Sequence, residues 1–269
     1  SLTALYRRQW IGFKNAPESK LLSFDAPIFG DKVGFGLTIS QQTMGIQNNW
    51  YANMAYSYHI KISKASSFRI GLQASMKSQG LDFADPGVYI RETGDQSILE
   101  NETVKDVFAN FGAGLYYTFG HTYVGVSVPY FYPAEIGLNK SPNLVRIAET
   151  AQHYYLMLGT MLKVSEKMDI KPALLVKYVK NAPFDMDVNV MLVFDKKFNL
   201  GLSYRMGGTG IGESVDLMAM YQYNQIAFGL AYDMGLSALK AHQSGSVEAL
   251  IRYDFVKEKG DMANPRFFF

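Results

Sequence analysis

Four histidines, His59, His121, His153 and His242, are the first candidates for acid–base or metal chemistry in this chain of 269 residues. Zinc sites draw ligands from closely spaced pairs, and these four are scattered, so they read as ordinary interior, turn or loop residues. Cysteine is absent, which removes thiolate ligation and any disulfide framework. The run GGTGIG at 207–212 misses the GxGxxG spacing and leads into a strand-like segment, so it reads as an outer loop rather than a phosphate cradle. No serine stands in a nucleophile-elbow pattern. The expectation is no catalytic residue, no cofactor and no metal.

What remains is a set of charges on the polar faces of alternating segments. Arg69, Lys77, Lys177, Asp185, Asp187, Arg205, Asp216 and Arg252 lead it, joined by Lys171, Asp233 and Glu248. A charge facing lipid at mid-bilayer costs ~2–4 kcal/mol, so if these segments cross a membrane the charges must point into an enclosed lumen. Mixed signs fit a lumen cross-braced by ion pairs and equally a selective pore, and both stay open. The segment 79–106 differs: Asp82, Asp85, Glu92, Asp95, Glu100, Glu102 and Asp106 face only Arg91 and Lys105. It reads as a solvated outer loop, with cation-bridged lipopolysaccharide or a basic partner as the functional alternative. Its Asn101-Glu102-Thr103 is a glycosylation sequon of the kind expected by chance.

The elements that must position these charges are strands. In 68–76 the even positions are Phe68, Ile70, Leu72, Ala74 and Met76, against Arg69, Gly71, Gln73 and Ser75. The same period of two runs through 33–39, 50–60 and 184–194, and it puts apolar side chains on one face only. Applied throughout, it predicts about fourteen strands near 1–10, 18–28, 31–43, 48–62, 67–78, 107–119, 122–130, 152–164, 167–180, 183–195, 197–206, 213–223, 225–234 and 245–256. Most have the roughly 9–11 residues that a tilted strand needs to cross a bilayer. Windows 33–60 and 107–134 lack Asp, Glu, Lys and Arg, yet both alternate and read as hairpins, not membrane helices.

Connection lengths add an independent signal. The short turns FGDK, SKAS, GH, SE, DKK and YNQ join strand pairs 2–3, 4–5, 6–7, 8–9, 10–11 and 12–13, whereas long connections at 79–106, 131–151 and 235–244 follow odd-numbered strands. This is the layout of an outer-membrane barrel with short periplasmic turns and longer extracellular loops. Composition agrees. Aromatics reach 14% and charged residues only 19%, where a soluble domain carries roughly 25%. Mean hydropathy is −0.05, so apolar residues are diluted rather than blocked together. The net charge of +2 gives no reason to expect nucleic acid. A soluble β-sandwich or lipocalin-like barrel also alternates, but its interior could not be filled by such small polar residues. The chain opens at Ser1 directly into a strand-like segment with no signal peptide ahead of it, as a mature or trimmed chain would. The expected organisation is one all-β domain over 1–269, a transmembrane antiparallel up-and-down barrel, with 257–269 a tail of open placement.

Several blocks resemble the PorP/SprF family of outer-membrane proteins from the type IX secretion and gliding machinery of Bacteroidota. They are YRRQWIGFKNAP near the start, NFGAGLYYTFGHTYVGVSVPYFY in the centre, KPALLVKYVKNAPFDMDVNVMLVFDKKFNLGLSYR, AYDMGLSALKAHQSGSVEALIRYDF and the final NPRFFF. The resemblance runs in order over nearly the whole chain. It implies a non-enzymatic, integral outer-membrane barrel set in lipid and lipopolysaccharide. It further implies that the barrel anchors or assists export of a secreted adhesin-type protein through that protein's C-terminal domain, with a periplasmic peptidoglycan-binding component and the type IX machinery as further partners. Family members usually carry a signal peptide and a further segment ahead of the Tyr-Arg-x-Gln-Trp stretch, and neither is in this sequence. The alternative functions are an outer-membrane channel for small solutes and, more remotely, a soluble barrel binding protein.

Overall fold

In the computed structural model, segments with one apolar and one small or polar face become strands of a single sheet. The structure describes residues 1–30, 32–85, 103–132, 135–136, 148–149, 151–207 and 212–255. The strands are β1 (Leu2–Arg8), β2 (Glu18–Ile28), β3 (Val33–Met44), β4 (Gln47–Lys61), β5 (Ser66–Asp82), β6 (Thr103–Phe119) and β7 (Thr122–Val128). They continue with β8 (His153–Thr160, resumed after Met161 by Leu162–Lys163), β9 (Met168–Val179), β10 (Asp185–Phe194), β11 (Phe198–Met206), β12 (Gly212–Tyr223), β13 (Ile226–Gly235) and β14 (Ser246–Tyr253). Each pairs antiparallel with its sequence neighbours. The ring closes where β1 meets β14, from Leu2 opposite Tyr253 to Arg8 opposite Val247. Fourteen strands thus form a closed up-and-down barrel. A two-residue ribbon, Glu135–Ile136 with Ala148–Glu149, lies apart from the sheet.

The register places whole rows of side chains on one face. Tyr58, Ile70, Leu115, Val126, Leu156, Val176 and Met186 follow one another across seven strands and all face outward. Outward side chains are large, apolar and open: Leu72 is 59% exposed and Leu230 69%. Among the described residues no large side chain is fully buried, and the buried hydrophobics are few, including Val33, Val193 and Ala227. A soluble fold hides its apolar stripe in a packed core, and this one turns it outward. Hydrocarbon is the solvent that suits such a surface, and closure supplies every backbone partner that hydrocarbon cannot.

Strands β5 and β6 run further than alternation predicts, so Asp82 and Asp106 belong to strands rather than to the connection. Above the apolar band the outward positions Ser78 and Gly80 need not be hydrophobic, and the sequence signal fades while the ladder continues. Conversely β1 stops at Arg8, because Trp10 adopts φ 50° and turns the chain away. Connections at one end are short throughout: 29–32, 62–65, 120–121, 164–167, 195–197 and 224–225. The other end carries 83–102, 129–152 and 236–245, along with 9–17 and the five-residue connections 180–184 and 207–211. The β3–β4 connection is the two-residue turn Gly45-Ile46, where Gly45 at φ 57° takes a left-handed conformation without a Cβ penalty.

Beyond Val128 the chain folds inward against β6. Asn110 Oδ1 accepts the amides of Phe131 (3.0 Å) and Tyr132 (3.2 Å), and its Nδ2 donates to the Tyr132 carbonyl at 2.6 Å. Gly112 makes room for this, since a Cβ there would collide with the Pro129 carbonyl. Acids Glu92, Asp95, Glu100 and Glu102, with Arg91, lie outside the described residues, as do 208–211 of the glycine-rich run and the tail 257–269.

The inside-out arrangement yields a direct expectation. Leu202→Arg at the outward midpoint of β11 should lower the stability of the barrel folded into lipid vesicles by ~2–4 kcal/mol. Thr38→Arg on the enclosed face should change it by about 0.5 kcal/mol or less. Denaturant titration of both variants reads the difference, and equal losses would contradict the assignment of faces.

Candidate functional site: the charged wall of the lumen

Arg205 occupies the centre of the enclosed face because of two register facts. It stands opposite Asp187 on β10 and Ser214 on β12. On the next pair of strands Asp216 lies directly opposite Asp233. Two carboxylates side by side across a ladder repel, so an arrangement like this needs a cation within reach of both. Arg205 supplies it. Its Nε donates to Asp187 Oδ1 at 3.1 Å, its Nη2 lies 3.6 Å from Asp216 Oδ2, and its Nη1 lies 4.0 Å from Asp233 Oδ2.

The chain of charges extends both ways. Lys177 Nζ on β9 lies 2.7 Å from Asp187 Oδ2. Arg7 on β1 donates from Nη2 to Asp233 Oδ2 at 2.8 Å and holds Glu248 at 3.5 Å through Nη1. Ser214 Oγ donates to Asp216 Oδ1 at 3.1 Å. Three cations and four carboxylates therefore link seven consecutive strands, β9 through β14 and on to β1. The carboxylates Asp187, Asp216 and Asp233 are only 11–13% exposed. They line a cavity of about 290 Å³ together with Asn189, Ser203 and Met218.

Arg7 escaped the sequence reading, since Arg7 and Arg8 adjoin and alternation alone does not say which faces inward. The register resolves it: Arg7 opposes Glu248, while Arg8 shares the outward face with Glu18 at 3.8 Å. The remaining candidates do not join the network. Asp185 stands opposite Lys177, whose ammonium turns to Asp187 instead. Lys171 is buried on β9, opposite Met191. Arg252 sits near the short-turn end, where it bonds Asp254 and Gln222, each at 3.2 Å.

The other wall of the lumen is built differently. Arg69 lies over the Tyr116 ring at 5.8 Å and Lys77 over the Tyr51 ring at 5.6 Å, with Tyr116 stacked on Tyr123. Among the described residues neither cation has a carboxylate within ion-pairing distance. Cation–π contact replaces the ion pair here. No three His, Asp or Glu side chains among the described residues converge as metal ligands. The lumen thus has an ion-paired wall and a tyrosine-and-cation wall.

Removing the hub should strip three carboxylates of their shared cation. Arg205→Met is expected to cost roughly 1–3 kcal/mol, between the values for exposed and for buried pairs. Arg8→Met, at the half-exposed outward pair, should cost less than about 1 kcal/mol. Urea midpoints in vesicles compare them, and equal effects would deny the network a structural role.

Solved structures of similar fold include the CymD monoaromatic hydrocarbon channel, at TM-score 0.55 and 10% identity, covering 96% of this chain and 88% of that one. A FadL homologue of Pseudomonas aeruginosa aligns at TM-score 0.50 and 11% identity, covering 95% and 89%. A TodX monoaromatic hydrocarbon channel mutant aligns at TM-score 0.53 and 10% identity, covering 94% and 88%. At such identities the likeness is one of fold. No curated protein sequence matches the chain significantly. The family pattern described as type IX secretion system membrane protein PorP/SprF matches residues 1–253. With a closed outer-membrane barrel around that sequence pattern, this chain belongs to the PorP/SprF family of type IX secretion system membrane proteins.

Proposed function

We propose that this outer-membrane barrel is a non-enzymatic station of the type IX machinery that anchors, or helps export, a secreted adhesin-type protein through that protein's C-terminal domain. Family membership across residues 1–253 is the observation that carries the reading. Two features of the molecule support it. The three long connections leave from one end, where a secreted partner would be held. The short-turn end presents exposed Lys32, Lys64, Lys167, Lys196 and Lys197, a surface suited to a periplasmic component of the machinery. Within this reading the ion-paired wall braces the barrel while a partner pulls on its loops.

A second reading, an outer-membrane channel for small solutes, draws support from Arg69 and Lys77, which stand over tyrosines with no carboxylate partner among the described residues and leave a wettable wall. The CymD and TodX structures are named as hydrocarbon channels, which adds an apolar solute to the options.

Purification of the tagged barrel from its native outer membrane separates the two. The expected result is recovery of a protein bearing a type IX C-terminal domain, reduced at least several-fold when the connection between β7 and β8 is shortened. Absence of any such cargo, with stable solute-selective conductance in planar bilayers, would favour the channel instead.

A further inference from the structure

The barrel wall changes character where β7 ends. The β6–β7 ladder stops at Ala113 opposite Val128, and Pro129–Tyr132 then fold onto the inner face of β6. Strand β8 begins only at His153. Among the described residues the wall therefore loses one strand's width above this level, on the loop side of the β6–β7 ladder. The resulting cavity measures about 510 Å³, within the ~300–1,000 Å³ of small-molecule pockets. It is lined almost wholly by carbon.

Most of its residues belong to the lipid-facing rows, with Gly114, Ser127 and Tyr155 of the inward row between them. Leu115, Val126, Leu156 and Val176 are consecutive members of one outward row, and Ala113 leaves the floor low. The loop-side rim is aromatic: Tyr178 stacks on Phe184 at 5.0 Å and meets Tyr154 at 6.0 Å. Two residues beyond the lining residue Tyr178, in the turn that follows β9, Lys180 is exposed and has no acidic partner among the described residues. A groove open to the bilayer, apolar below and cationic at its mouth, matches a lipid whose acyl chain lies beneath an anionic headgroup. An ordinary annular contact needs no recess, and a soluble ligand would have to cross the bilayer to reach this one.

We infer that the groove between β6 and β9 is a binding site for one acyl chain of an outer-leaflet glycolipid of the lipid A class, with Lys180 beside the phosphate of its headgroup. The site is independent of the cargo reading. It marks the wall next to the β7–β8 connection as a place where lipid supports the loop end of the barrel.

The test uses the full barrel in vesicles doped with lipid A carrying a diazirine on one acyl chain, or in parallel with a phosphatidylethanolamine carrying the same group. After irradiation, labelled peptides are mapped by mass spectrometry. Lipid A is expected to label 113–128 and 154–178 at least about five-fold above the outward residues of β2 and β3. Ala113→Trp, which fills the floor, should abolish the excess. Lys180→Glu should reduce it for lipid A and leave phosphatidylethanolamine unaffected. Heat-modifiable gel mobility confirms that each variant remains a barrel. Even labelling around the belt, equal labelling by the two lipids, or excess that survives Ala113→Trp would each overturn the site.

Discussion

Inside hydrocarbon an unpaired peptide group costs several kcal/mol, and no water is present to satisfy it. A sheet can live there only if its first and last strands find each other. The antiparallel seam between Leu2–Arg8 and Ser246–Tyr253 meets that requirement, and the rest of the molecule is arranged around it. An even number of up-and-down strands follows, because only then does the last strand run antiparallel to the first. The side-chain period of two then commits every strand to one lipid-facing and one enclosed row, and a slip of one residue at the seam would invert both.

The enclosed face inherits a problem from this commitment. Charges cannot leave it without meeting lipid, and cross-strand register brings some like charges together, as with Asp216 and Asp233. The solution lies in long guanidinium arms that reach across more than one strand. Arg205 spans from β10 to β13, and Arg7 reaches across the seam to β13 and β14. The network therefore ties the N-terminal strand to the C-terminal half of the sheet. In a closed ring that is the join most in need of a second bond. The opposite wall is held by the long β4–β5–β6 ladders and by tyrosines beneath Arg69 and Lys77.

Much of this could be read from the sequence for a simple reason. Lipid exposes alternation more cleanly than a packed core does, since every outward residue must be apolar across the band. Phe68 through Met76 show it, and the fourteen segments found this way all became strands. The failures lie where the constraint lapses. Beyond the band, at Gln79–Asp82 and Thr103–Asp106, water accepts either face and the strand ends blur. At Arg7 and Arg8 two like residues adjoin, and only pairing with Glu248 and Glu18 distinguishes them. The Arg205 hub and the groove beside β7 were invisible for a different reason. They depend on contacts between strands and on the place where a strand stops, neither of which has a local signature.

The barrel is turned inside out, polar within and apolar without, and the chain's lack of cysteine makes this directly measurable. Single cysteines placed in turn at 198–205 of β11, in barrels folded into vesicles, can be titrated with a water-soluble maleimide and with a lipid-confined quencher of a thiol-attached fluorophore. An inside-out barrel gives a strict period of two. Positions 198, 200, 202 and 204 should be quenched from the lipid and slow to react, and positions 199, 201, 203 and 205 should be unquenched. Uniform reactivity along the strand, or quenching at 203 and 205, would contradict it.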